Sequence, residues 1–221
     1  MSDADKTTGW CAMSVAARQS AGHLEVPSES DLETLRYIFD KSASRFIVQA
    51  FATGMLSAFG HDPKIGIRDF AGEVQFTGGT YDQASLCLKI DTTTFEVLDE
   101  MKRDDRAKLQ MSMNEDVLDI AHFPTATFVS RQISVQKVTD DLLQAKVAGD
   151  LTLRGNMQNL SLDARVTVLG AMLRVSGDFT IRQSDYGIKP VSFAGGALRL
   201  KDDLKFTFEL VARRDESPAN S

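Results

Sequence analysis

The stretch Asp119-Ile-Ala-His-Phe-Pro-Thr-Ala-Thr-Phe-Val-Ser130 separates two kinds of hydrophobic pattern. Before it, Leu109, Met113, Val117 and Ile120 recur at spacings of four, four and three, the stripe of a helix packed on a core. This predicts a helical interval over residues 94–120, with Asp104 or Asp105 capping its start. After the stretch the pattern alternates with period two almost to the C-terminus. Pro124 marks the change, because its ring fixes φ and it has no N–H to give to a helix. Phe123, placed before proline, is pushed toward extended geometry.

Working downstream, the fifth strand carries Thr127, Val129, Ile133 and Val135 on one parity and Ala126 and Phe128 on the other. Leu143, Ala145, Val147, Gly149, Leu151 and Leu153 then alternate with polar residues up to a turn at Gly155-Asn156. Leu160 to Val168, Leu173 to Ile181 and Leu204 to Leu210 repeat the pattern, with Gly170-Ala171 as another turn. Upstream, residues 36–40 and 44–52 read as two strands joined by a short polar turn. A third strand covers residues 65–76, with a parity change that places a bulge near Arg68 and Asp69. A fourth has Ala84, Leu86, Leu88 and Ile90 on one face. Eight or nine strands with one apolar face each must fold over or close on themselves. Their length favours a barrel, which at about eight strands is filled by side chains or holds one small ligand. Inward Gly149 and Gly177 either open space in that lumen or relieve backbone crowding.

Residues 1–33 are rich in Ser, Ala, Asp and Glu without a sustained period, which predicts a disordered or loosely docked arm. The folded domain is expected over residues 34–213 and a polar tail over 214–221. A net charge of −6 argues against general nucleic-acid binding. No apolar run is long enough for a membrane helix, so stable membrane insertion is not expected. No basic, leucine-rich leader is present, so a complete chain would be cytoplasmic, and a chain with an incomplete N-terminus periplasmic. Of the two cysteines, Cys11 falls in the arm and Cys87 in a strand, where it reads as a buried free thiol.

Catalytic signals are sparse. His23, His61 and His122 have no metal-ligand spacing, and neither a nucleophile elbow nor a phosphate loop occurs. His61-Asp62 sits in a Gly/Pro loop, where a turn or cap is the ordinary role of such a pair. His122 beside the helix end suits the macrodipole when protonated. Arg182 and Asp185 are placed to pair across a loop at a barrel mouth, with Gly187 suited to a turn of positive φ.

Three segments, Phe123-Pro-Thr-Ala-Thr-Phe-Val-Ser130, Val147-Ala-Gly-Asp-Leu-Thr-Leu-Arg-Gly155 and Phe179-Thr-Ile-Arg-Gln-Ser-Asp-Tyr-Gly-Ile188, carry a resemblance in their order and spacing. The chain resembles the YceI-like family, lipocalin-like barrels associated with polyisoprenoid binding. The resemblance covers roughly residues 36–213. It implies an all-β, antiparallel, lipocalin-like eight-stranded β-barrel with a helical insertion between strands 4 and 5. It also implies a lumen for a long apolar chain such as an isoprenoid quinone or polyprenyl lipid, and members that pair as homodimers in the periplasm. The function expected is non-enzymatic binding, transport or storage of such a lipid, with no cofactor and no metal.

The inward positions Phe46, Val48, Phe128, Val147, Leu151, Val166, Phe179, Phe206 and Phe208 are the candidate lumen contacts. His61, Arg182 and Asp185 are the candidate polar mouth. Two other readings stand beside this one: a small hydrolase or isomerase using His61 on an apolar substrate, and a filled barrel serving as an interaction module.

Overall fold

The computed structural model describes residues 34–53, 62–77, 81, 83–190, 192–193 and 198–216. The strands are β1 (Thr34–Phe39), β2 (Arg45–Thr53), β3 (Lys64–Ile67), β4 (Phe70–Thr77), β5 (Ser85–Asp91), β6 (Phe95–Val97), β7 (Thr125–Lys137), β8 (Leu142–Leu153), β9 (Asn156–Leu169), β10 (Met172–Arg182), β11 (Ser192–Phe193) and β12 (Leu198–Arg214). The hydrogen-bonded order is β1-β4-β5-β7-β8-β9-β10-β12, and β12 closes the ring on β1 through Tyr37–Phe39 against Ala212–Arg214. Every ladder is antiparallel. The result is the closed, eight-stranded barrel expected from the alternation.

Three of its walls are broken strands. β1 and β2 form one, β3 and β4 the next, β5 and β6 the third, so that β2, β3 and β6 continue the barrel beyond the breaks. Two breaks use the same device. The Asp40 carboxylate accepts from the N–H groups of Ser42 and Ala43 and starts a 3-10 turn over Lys41–Ala43. Asp91 accepts from the Thr93 N–H at 2.9 Å and starts another over Thr92–Thr94. A short acceptor side chain offers the backbone an alternative to the ladder. The break between β3 and β4 falls at Arg68 and Asp69, where the parity change predicted a bulge.

The helical interval is shorter than its sequence pattern. Phe95–Val97, inside the expected helix, is strand β6, which pairs with β3. Helix α1 runs only over Arg103–Ser112, followed by a π-helical turn over Met113–Val117. Its N-cap position is Lys102, without a side-chain cap; Asp104 and Asp105 lie in the first turn instead, where they favour the macrodipole. Helical geometry ends at Asp119, whose φ of 51° takes the chain out of the right-handed region five residues before Pro124. Pro124 therefore introduces β7 and is not the helix stop. Its carbonyl accepts from Thr92 N–H, and the Thr92 hydroxyl donates to the Phe123 carbonyl, which fastens the start of β7 to the turn after β5.

The core occupies much of the lumen. Along β8 burial alternates without exception, from Leu143 to Leu153 inward. On β7 the inward residues are Ala126, Phe128 and Ser130, then Ile133, because a register shift between Ser130 and Gln132 adds one residue. This corrects the expected grouping of Thr127 and Val129 with Ile133: one bulge exchanges the two faces. Of the two roles open to Gly149 and Gly177, the structure favours relief of crowding over added lumen space. A Cβ at Gly149 would lie 2.7 Å from the Phe128 ring and 2.4 Å from the Val129 carbonyl; one at Gly177 would lie 2.8 Å from the Phe208 ring. The glycines let aromatic rings rest on bare backbone. Cys87 is buried, as expected, but it is disulfide-bonded and not a free thiol.

Candidate functional site

The lumen has two halves of different character. In one, phenylalanines interlock: Phe179 stacks on Phe206 at 4.8 Å, and Phe46 makes edge contacts with Phe70, Phe206 and Phe208 at 6.1–6.3 Å. Offset and edge-to-face geometry of this kind adds to burial. In the other half an apolar cavity of about 100 Å³ remains. A single water needs roughly 10–15 Å³ on this scale, and a cavity of about 150 Å³ lined by Leu, Ile and Phe stays dry and takes up benzene. The space therefore suits about one prenyl-sized apolar group.

Its walls come from several elements. β2 and β3 supply Val48, Ala50, Ile65 and Ile67, and β8 supplies Leu151 and Leu153. β12 supplies Leu200, Leu204 and Phe206, and α1, its π-turn and the residue after it contribute Leu109, Met113, Val117 and Leu118. Among the described residues the polar side chains on this wall are Ser112 and Gln183. Gln183 is 2% exposed and its Nε2 donates to the Lys201 carbonyl at 2.9 Å.

Helix α1 stands where a strand is missing. The β5–β7 ladder ends at Asp91–Thr125, so beyond it β6 has a free edge. The Gln110 carboxamide satisfies that edge: Oε1 accepts from Val97 N–H at 3.1 Å and Nε2 donates to the Phe95 carbonyl at 2.7 Å. One side chain thus imitates a strand neighbour. A second tie is Arg106, which donates to the Asp99 carbonyl at 2.6 Å while its Nε is buried without a partner. No residue of α1 itself is buried.

The barrel end beside the cavity is closed by a 3-10 turn over Gln183–Tyr186, which Gly187 terminates with φ of 69°. Arg182 Nε donates to Asp185 at 3.2 Å, so the anticipated pair forms, on the surface. Ser184 is held through its N–H and hydroxyl by Asp202, whose carboxyl these bonds keep below its ordinary pKa. Tyr186 is 2% exposed, and burial followed by the Asp185 charge pushes its hydroxyl up to about 12.

Of the nine anticipated lumen residues, Val48, Leu151 and Phe206 line the cavity. Phe46, Phe128, Val147, Val166, Phe179 and Phe208 belong to the packed core or lie against it. His61 lies outside the described residues; its neighbour Asp62 accepts from Ala52 N–H near the end of β2 at 2.8 Å, ten residues back in the chain. His122 is exposed and 2.7 Å from Asp119. Sequence reasoning missed Ile65, Leu109, Val117, Gln183 and Leu204. The helical stripe contains Leu109, Met113 and Val117, and its period predicts contact with the core without separating core from cavity wall.

The family model for the YceI-like domain matches residues 37–212. Among solved structures, BcnA of Burkholderia cenocepacia is 19% identical, with a TM-score of 0.61 over 78% of this chain and 98% of that one. A polyisoprenoid binding domain from Saccharophagus degradans, implicated in plant cell wall breakdown, is 15% identical, with a TM-score of 0.61 over 82% and 99%. The YCEI protein of Campylobacter jejuni is 15% identical, with a TM-score of 0.52 over 91% and 96%. No curated protein matches. At these identities the structures share the fold, and it is the match of the family model over most of the chain that decides: the protein belongs to the YceI-like domain family.

Proposed function

We propose that the protein is a non-catalytic carrier or store for a long-chain apolar lipid of isoprenoid type, held in the barrel lumen. The observation that carries this reading is the cavity wall, built from Val, Ile, Leu, Phe and Met side chains with Gln183 as its buried polar group among the described residues. Burial contributes about 0.8 kcal/mol per CH₂, so each five-carbon prenyl unit adds roughly 4 kcal/mol before the costs of association and ordering. Affinity of this origin needs no charged anchor. The likeness to a polyisoprenoid binding domain supports the same class of ligand.

A chain of several prenyl units needs more room than about 100 Å³. The element free to yield it is α1, which borders the cavity yet buries no residue of its own. The phenylalanine half is interlocked and resists. Organic extraction of the purified protein followed by mass spectrometry should recover a long-chain isoprenoid, and delipidated protein should take up added prenyl quinone. Recovery of no such lipid together with no uptake overturns the reading.

A further inference from the structure

We propose that the outer wall over β4, β5 and β7 is the seat of this chain's own residues 10–17, pinned there by a disulfide between Cys11 and Cys87 and released when that bond is reduced. The inference is independent of what fills the lumen.

Cys87 faces outward from the barrel. Its neighbours Leu86, Leu88 and Ile90 pack on the core, and side chains alternate along a strand, so Cys87 points the other way. Across the ladders it lies between Glu73 on β4 and Val129 on β7. Yet Cys87 is 5% exposed and Glu73 4%. The outer face elsewhere is open: Ser161, Asp163 and Arg165, outward on β9, are all exposed. Cys87 is disulfide-bonded, and the one other cysteine of the chain is Cys11. An outward residue that is both shielded and cross-linked has something seated on it, and the bond names the segment. The carboxylates of this face are already paired, Glu73 with Arg36 at 2.6 Å and Asp150, opposite Val129, with Arg131. An apolar segment seated here meets no bare carboxylate.

The segment fits in composition and in reach. Trp10-Cys-Ala-Met-Ser-Val-Ala-Ala17 is the apolar run of an arm otherwise rich in Ser, Asp and Glu. The described chain begins at Thr34, which pairs with Thr77 on β4, four residues from Glu73. With about 3.3 Å per residue along a strand and about 4.8 Å between strands, Thr34 lies roughly 16 Å from Cys87. The 22 residues from 12 to 33, when extended, span that distance several times over. Reach therefore imposes no strain. Without the bond, burial of a few small side chains must offset the entropy of ordering the arm. The covalent link makes that contact intramolecular at short range and tips the balance toward docking.

The first measurement maps the bond. Full-length protein, denatured without reductant in iodoacetamide and cut with trypsin, should yield residues 7–18 joined to residues 69–89. An alkylated Cys11, or a Cys87 linked to a second copy of the chain, overturns the proposal. The second measurement follows docking through Trp10, the chain's single tryptophan, next to Cys11. In the oxidised protein its emission should be that of a shielded indole, resistant to acrylamide quenching. Dithiothreitol supplies two electrons and two protons, closing to its own cyclic disulfide while the Cys11–Cys87 bond opens to two thiols. Emission should then shift to the red, and quenching should rise toward that of free tryptophan. Cys11→Ser, a change confined to the arm, should reproduce the reduced state with no reductant present. A solvent-exposed Trp10 in the oxidised protein means a tether with nothing seated, and overturns the proposal. So does a Trp10 that stays shielded in Cys11→Ser or after the bond is opened, since the disulfide would then not hold the segment. Should Cys11→Ser fail to fold, reduction of wild type decides alone.

Discussion

Phe206 belongs to both halves of the lumen. One side of its ring is stacked on Phe179 at 4.8 Å and edge-on to Phe46 at 6.2 Å, and the residue also lines the cavity. It is the partition between packed core and ligand space. Phe206→Ala merges the two and is expected to cost about 3–5 kcal/mol, the usual range for removing a buried aromatic ring. Chemical denaturation measures it; a loss below about 1 kcal/mol would show that the ring is not part of the interlocked half. Parity in the sequence placed Phe206 inward correctly, as it did Phe46, Phe179 and Phe208. It did not tell a ring facing other rings from one facing a void, because that depends on where Gly149 and Gly177 admit Phe128 and Phe208. Those contacts join neighbouring strands, and no single strand encodes them.

At the scale of elements, α1 is the least committed part of the fold. It has no buried residue and bonds to the barrel through Gln110 on β6 and Arg106 on Asp99. Gln110→Ala removes the cover of Val97 N–H and the Phe95 carbonyl together. The expected result is faster hydrogen exchange across residues 95–118 with β8 and β9 unchanged, plus faster release of bound lipid. Unaltered exchange in this region would mean that packing of Leu109 and Met113 alone holds the helix. Added prenyl lipid should slow exchange in the same segment. The helix was legible as an apolar stripe, and its lining role was already implicit in Leu109, Met113 and Val117. What periodicity could not separate was β6 from α1. A three-residue strand is too short to show a period, and its place is set by pairing with Ile65–Ile67 far back in the chain.

For the whole molecule the critical seam is the one that closes the ring, where β12 passes from β2 to β1. The alternating pattern predicted closure without showing where it happens. The seam is polar and concentrated on Asp40. Asp40 N–H donates to the Val211 carbonyl at 2.8 Å, the Ser44 hydroxyl accepts from Val211 N–H at 2.9 Å, and Arg213 Nε donates to the Asp40 carboxylate at 2.9 Å. The Ser42 hydroxyl adds a bond of 2.5 Å to the same carboxylate. Hydrogen bonds from Ser42, then from Arg213, lower the Asp40 carboxyl from 3.8 to about 2. The folded pKa lies below the unfolded one, so Asp40 stabilises the fold in full above pH 3.8 and loses that contribution as pH falls toward 2. Asn at this position can still cap the turn over Lys41–Ala43, whereas the charge offered to Arg213 disappears. Asp40→Asn should therefore melt below wild type from neutral pH down to about pH 4, and the two melting temperatures should converge as pH falls toward 2. Thermal melts of both proteins across that range measure the gap. A gap of the same size at pH 2 as at pH 7 would assign the effect to lost packing and remove the carboxylate from the seam.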